Sequence, residues 1–499
     1  MGEAQKWLFE PTFNRAIKVR KKDQRITSDA GVLLAREADH RLKLVESACR
    51  SMIDPRDPAK IRYTLVELFR ERIYALAQGY KAQDDLDRLA HDPAMKMAVW
   101  DRPGNQVVDE RLASQPTQSR LLDILSAHQK NREALREALA DWTGRHVRAT
   151  GKGRRVRHGT IDVDSFPLEI HGEQPGGAYN GYYRRTVYHP LVASFSVSGD
   201  YDSGRKGGRL GSGFVHAVLR KGNAASAQGA KRFIDRVIRK SKTLAGMVDM
   251  RIDAGLTHGP VMDRLCERNV RFVGRLKGNP VLDALAAPYL KRPVGRPPAD
   301  GYEDVFELGL HQAASWKYAQ RLILVVIDRP DPKTGQLNLL PDYFFLVGNW
   351  LEEEMTGVEL LEHYRRRGTF EDRLGEFNAA IGCRLSSPDF VENEVTFLLS
   401  LLAFNLASML RVELEDEVGG CWDLARFQNY VLKAGARVTK HSRRLVMDLA
   451  CAVVPLWQSL LACLRRWRLP LLLSLACGPR RRSWQPPPPH AHLTEVLRL

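Results

Sequence analysis

The chain is 499 residues long, which at roughly 100–200 residues per domain allows two to four domains and a sizeable core. A hydrophobic fraction of 44% and a charged fraction of 27% exclude collagen-like, mucin-like and wholly disordered chains. Charge is the outlier: 76 Lys and Arg against 59 Asp and Glu leave a formal +17, which points to a polyanionic partner through phosphate neutralisation and counterion release.

An anionic membrane surface is the rival partner. The beginning, MGEAQKWLFE, lacks the apolar stretch of a secretory signal. The one long apolar run, 453–475, contains Arg465, Arg466, Arg468 and Pro470, and arginines near the centre of a span cost several kcal/mol. Helices packed on the body are therefore expected, and no membrane. Seven scattered cysteines with no C-x-x-C pair indicate neither a disulfide framework nor a zinc site, so a reducing cytoplasm is expected.

From Arg25 to about Trp142 the apolar spacing is helical, with Thr27, Ser28 and Asp29 offering a cap before Val32, and Pro55, Pro58, Pro93 and Pro103 as punctuation. The basic run Lys18 to Lys22 and the helix carrying Arg70 and Arg72 are candidates to lie on phosphate; solvated helix faces are the plainer alternative. Residues 1–150 read as an all-helical domain for DNA binding and dimerisation.

After Gly151 and Gly153, in a basic stretch, the periodicity changes. Residues 159–170, 187–198 and 213–219 read as strands; 224–242 as a helix; 247–253 as a strand; 261–268 as a helix; and 271–276 as a strand. Three strands followed by alternating helix and strand make an α/β sheet covered by helices. Strand-like segments at 303–309, 316–327 and 343–347 then form a β-rich insertion over 281–348. Helices resume over 352–378 and 392–412, and residues 413–499 read as a helical region ending in the low-complexity tail Arg480 to Pro489.

Three acidic sites stand out by placement. Asp162 and Asp164 lie two apart on the first strand and share a face. Asp253 ends the strand MVDMRI, where open α/β sheets bind ligands, although a turn or cap is the commoner use of an Asp at a strand end. Glu371 follows the insertion. At about 100° per residue Tyr364, Arg367, Glu371 and Asn378 fall within roughly 60° on one helix. A solvated face with an Arg–Glu pair explains two of these four and leaves Tyr364, Arg365 and Arg366 without a role.

These residues resemble the DDE transposases of bacterial insertion sequences, in the subgroup with the Y-x-x-R-x-x-x-E-x-x-x-x-x-x-K signature. The segments ITSDAGVLLAREAD, IDPRDP, RIYALAQGYKAQDDLDRLAHDP, LASQPTQSR and DVDSFPLEIHGEQPGG are similar to one insertion-sequence family, and the resemblance spans roughly residues 20–410. It implies a ribonuclease-H-like catalytic core over 151–280 and 349–412, interrupted by the insertion. It also implies Asp164, Asp253 and Glu371 as catalytic metal ligands for two Mg²⁺ ions, with Mn²⁺ able to substitute. Tyr364 and Arg367 would contact phosphate near the scissile bond.

The implied partners are the element's terminal inverted repeats and target DNA, bound by a homodimer in the bacterial cytoplasm. The implied reaction is cut-and-paste transposition through a DNA hairpin. Two departures limit the match: Asn378 stands where the signature has Lys, with Arg373 or Arg384 as substitute cations, and Asp162 competes with Asp164, the latter being the closer match because Ser165 follows it.

Weaker signals remain. His171, Gly172, Gln174 and Gly176 resemble family positions, with a glycine turn as the alternative. Gly295-Arg296-Pro297 resembles a minor-groove hook or a plain basic linker. Trp316, with Trp350 next, is the candidate platform on which a flipped DNA base would stack; a buried structural ring is the alternative for each.

Overall fold

The computed structural model describes residues 7–151, 156–197, 212–292, 301–330, 340–415, 417–420 and 422–467. Most of the basic stretch after Gly151, the Gly295-Arg296-Pro297 segment and the tail beyond Trp467 lie outside these described residues.

Strand β1 (Arg25–Thr27) precedes seven helices: α1 (Val32–Leu42), α2 (Leu44–Cys49), α3 (Leu65–Ala77), α4 (Asp85–Leu89), α5 (Pro93–Val99), α6 (Gln115–Ala127) and α7 (Gln129–Thr150). Helix α3 starts with a full capping box in which Thr64 and Glu67 satisfy each other's backbone N–H groups. All its residues but Val66 are buried. Arg70 on this helix is fully buried and neutralised by Asp39, Glu46 and Asp101, so it is not a phosphate contact.

The sheet elements follow: β2 (Val156–Ser165), β3 (Leu168–Glu169), β4 (Ala178–Asn180), β5 (Arg185–Tyr188), β6 (Leu191–Val197), β7 (Gly213–Val218), α8 (Ala230–Ser241), β8 (Ala245–Ile252), α9 (Gly259–Glu267), β9 (Arg271–Leu276), α10 (Pro280–Ala286), β10 (Tyr302–His311), β11 (Gln320–Asp328) and β12 (Asp342–Gly348). Eight strands form one mixed sheet in the order β10-β11-β12-β9-β8-β2-β6-β7. Strands β2, β8 and β9 run parallel, and the other neighbours pair antiparallel. The strands of 281–348 thus extend the main sheet beyond β9, pairing through β12. Strands β3, β5 and β4 form a small separate sheet, reached by a turn in which Gly172 and Gly176 have φ of 111° and 83°, a region only glycine enters readily.

The central strands have two unlike faces. Ile161 and Val163 of β2, Phe195 of β6, and Met250 and Ile252 of β8 pack under α8 and α9, against Phe233, Ile234, Val237, Val261 and Leu265. Alternation then sends Thr160, Asp162 and Asp164, with Asp249, Arg251 and Asp253, to the opposite face, where they meet the helices that follow the insertion.

Those helices are α11 (Gly357–Arg365), α12 (Gly368–Ala380) and α13 (Phe390–Val412); then come α14 (Leu424–Phe427), a π-helical turn, β13 (Ala436–His441), β14 (Arg444–Leu449) and α15 (Val454–Arg466). Among the described residues α13 is long and apolar enough to cross a membrane, and all of it after Glu392 is buried inside the protein. It packs against α1, α3, α6 and α7, so one apolar core runs from the N-terminal helices through α12 and α13 to α15. The Asn405 amide on α13 accepts from the Phe214 N–H and donates to its carbonyl, each at 2.9 Å, which occupies backbone groups of β7 at the edge of the sheet.

A helical region was expected over 413–499; within its described residues β13 and β14 instead form a hairpin whose first strand pairs with β1. The pairing is non-local and leaves little local trace. Gly31 marks where the two ends of the chain meet, since a Cβ there would lie 2.3 Å from the Leu432 Cα.

Candidate active site

Strand β2 ends at Ser165, and β8 runs beside it in parallel with Val163 opposite Ile252. The next polar-face residues, Asp164 and Asp253, therefore emerge together at the same end of neighbouring strands. Asp164 receives the Ser165 N–H at 2.7 Å. Asp253 accepts the Leu256 N–H at 3.1 Å, so one of its oxygens also serves the turn that begins α9.

The helix expected over 352–378 is two helices. Arg367 is the N-cap of α12, and its N–H reaches back only three residues, to Tyr364. This tight link brings the Arg367 guanidinium, 7% exposed, onto the sheet. One amino group bonds Asp164 and the other bonds Glu371. The expected Arg–Glu pair is thus present, and the same arginine also binds the carboxylate of the first strand.

Burial above all, with Asp253 and Glu371 adding to it and Arg367 opposing, pushes the Asp164 carboxyl up to about 6. Tyr364 is held above its usual range by burial, with Arg367 and Arg275 acting against the shift and Asp253 and Glu371 adding to it. Tyr183 is raised in the same way by burial, Asp164 and Asp253. Asp164, Asp253, Glu371, Arg367 and Tyr364 therefore share one electrostatic neighbourhood, to which the structure adds Tyr183 and Arg275. No local sequence pattern marks these two, because they reach the site from other parts of the chain.

Beneath the site lies a ladder of buried charge that sequence reasoning also missed. Arg251 binds Asp162 through two bonds of 2.7 Å and donates to the His363 carbonyl at 3.1 Å. Asp249, fully buried, lies 2.7 Å from His363 Nε2 and 3.8 Å from His158 Nε2, and its carboxyl is held below the usual carboxylate range, His363 being the main partner acting against burial. The rungs Asp249–His363, Asp162–Arg251 and Asp164–Arg367 climb the sheet and fix the helices to it. They also separate the two aspartates of the first strand: Asp162 is spent on Arg251, and Asp164 stands at the site.

Among the described residues no group of three His, Cys, Asp or Glu side chains is close enough to hold a metal ion. Arg367 stands between Asp164 and Glu371 and pairs with both. Trp316, expected at the start of a strand, lies in the connection before β11 and is 9% exposed, edge-on to His311 in the core under α9, so it offers no open face to a base. Trp350 is half-buried against His363. Arg365 pairs with Glu303 on β10 and so ties α11 to the extended sheet.

The raised Asp164 carboxyl has a measurable consequence. Its folded pKa of about 6 exceeds the unfolded value near 3.9, so this group's contribution to stability is full below about pH 4 and is lost as pH rises through 6. Asp164→Asn should therefore raise the melting temperature of metal-free protein at pH 7.5, by an effect on the order of 2 kcal/mol, and leave it unchanged near pH 4. An equal gain at both pH values would refute this account of the site.

The chain matches the model of the transposase DDE domain, group 1, over residues 9–469, and it belongs to that family. A search of curated proteins finds no match. Among solved structures it is similar to a piggyBac transposase in a synaptic complex with hairpin DNA, determined by cryo-EM, at 14% identity over 80% of this chain and 79% of that one, with a TM-score of 0.40.

Proposed function

We propose that the chain is the transposase of a bacterial insertion sequence, in the subgroup carrying Tyr364-x-x-Arg367-x-x-x-Glu371, acting in the cytoplasm on the element's terminal inverted repeats. The observation that carries this reading is the meeting of Asp164, Asp253 and Glu371 around Arg367 at the end of two parallel strands, in a chain that belongs to a DDE transposase family. The order β7-β6-β2-β8-β9, three antiparallel strands followed by two parallel ones, supports a ribonuclease-H-like core over 151–280 and 349–412. In this reading 1–150 binds DNA and dimerises, 281–348 is the insertion, and 413–499 is a C-terminal region.

Asp164, Asp253 and Glu371 fit a pair of Mg²⁺ ions, or Mn²⁺, by donor chemistry: hard oxygen ligands whose burial and mutual repulsion, which together raise the Asp164 carboxyl, a cation would relieve. A metal held by these three carboxylates would supply Lewis-acid chemistry for an in-line phosphoryl displacement. The chain's own groups do the rest. Arg367 exchanges its carboxylates for a phosphate, whose oxygens its planar fork matches. Tyr364 orients the same group, and the buried ladder beneath keeps the carboxylates in register as charge develops. Cut-and-paste excision through a hairpin by a homodimer completes the proposal, resting on the likeness to relatives with this insertion.

The test is incubation of purified protein and Mg²⁺ with duplexes taken from the DNA flanking the reading frame. We expect matched inverted repeats there, nicks at the element end, a hairpin species, and 3′-OH ends joined to target plasmid. Cleavage without joining would make the protein a nuclease, and binding without cleavage a decayed copy; either result overturns the proposal.

A further inference from the structure

Helix α3 carries two buried arginines with opposite fates. Arg70 is met by three carboxylates. Arg72, 3% exposed, has only a long approach of 3.5 Å from Nη2 to the Lys81 carbonyl, while Nε and Nη1 have no partner. Burial pushes its pKa down to about 10, with the nearby Asp85 carboxylate acting against the shift, which still leaves it charged at neutral pH. Asp85 acts on it only from a distance, and among the described residues no carboxylate forms an ion pair with it; a buried charge without a direct partner costs several kcal/mol, so this one calls for an anion.

Arg72 borders a recess of about 320 Å³ between the N-terminal helices and the start of α13. Two further cations line it. Lys81 reaches only the carbonyls of Asn378 and Ala379, at 3.3 and 2.8 Å. Arg384 is exposed. Among the described residues none of the three is in an ion pair. The neighbouring Cys383 supplies no charge, because burial pushes its thiol up to about 12. Of the acidic residues on the lining, Asp84 and Asp123 are exposed, and Glu392 accepts the Ser387 hydroxyl.

We propose that this recess takes one phosphodiester of the DNA backbone, held by Arg72, Lys81 and Arg384. The inference rests on the DNA-acting function proposed above and adds a grip beside the cutting site. Lys81 sits on the last turn of α12, whose first turn carries Glu371, seven residues earlier. At ~1.5 Å per residue that is roughly 10 Å, about three base pairs of duplex at ~3.4 Å each. A phosphate here would set the distance along the DNA from the N-terminal helices to the scissile bond.

The test measures affinity of the full chain for a short duplex of arbitrary sequence across a salt series. We expect Lys81→Gln/Arg384→Gln, which alters side chains outside the core, to weaken binding several-fold and to shallow the plot of log K against log salt by about 0.9 for each phosphate no longer neutralised, whereas Asp164→Asn does neither. Arg72→Met should lose affinity in the same way yet melt no lower than the unmodified protein, since it removes an unpaired buried charge; a merely structural arginine would lower the melting temperature. Unchanged affinity and slope in both variants, with the unmodified protein binding duplex, would refute the recess and leave the proposed function standing. No duplex binding by the unmodified protein would refute that function itself. Inorganic phosphate that raises the melting temperature of the unmodified protein but not of the double variant, with DNA affinity equal in the two, would make this a free-phosphate site and overturn the DNA assignment.

Discussion

Asp164→Asn, Asp253→Asn and Glu371→Gln should each lower Mg²⁺-dependent strand cleavage by at least a factor of about 100–1,000, the usual scale for removing one preorganised electrostatic group from a transition state. Duplex binding should persist and tighten slightly, because each change removes a negative charge near phosphate. The substitutions keep size and an acceptor oxygen, so Arg367 retains a partner at Asp164 and Glu371 and the fold is spared. Gel-shift and cleavage assays on the same samples separate the two effects. Near-normal cleavage by any two of the three variants would remove these residues from the chemistry.

The second large effect is on stability. Arg251 is 4% exposed and Asp162 2%, and the pair joins two parallel strands while tethering α11 through the His363 carbonyl. Arg251→Met leaves a carboxylate buried alone, which costs about 3–5 kcal/mol. Removing both charges, as Asp162→Asn/Arg251→Met, should recover most of that loss, since a buried pair replaced whole is often neutral. Denaturant titration of the two single variants and the double gives the coupling directly. A loss below about 1 kcal/mol for Arg251→Met would mean that the pair is open to water. Cleavage should then rank the first-strand aspartates: reduced but present in Asp162→Asn, absent in Asp164→Asn.

Local elements and the candidate site residues were legible along the chain. Apolar spacing located β7, β9 and α13 within a few residues and marked the N-terminal stretch as helical without dividing it into helices, because period and capping are properties of a short stretch. Asp164, Asp253, Tyr364, Arg367 and Glu371 were nameable because strand alternation, a strand end and helical spacing each leave a local mark. Ser165 favoured Asp164 over Asp162 only through the resemblance; the physical separation is not local, because the register of β8 puts Arg251 opposite Asp162 and consumes that carboxylate. Tertiary structure likewise decided that Trp316 is core, that Arg70 is paired while Arg72 is not, and that the C-terminal segment pairs with β1 as a hairpin. Each depends on partners tens to hundreds of residues away. Whether a charge or ring is satisfied inside is set by what packs against it, which no window along the chain contains.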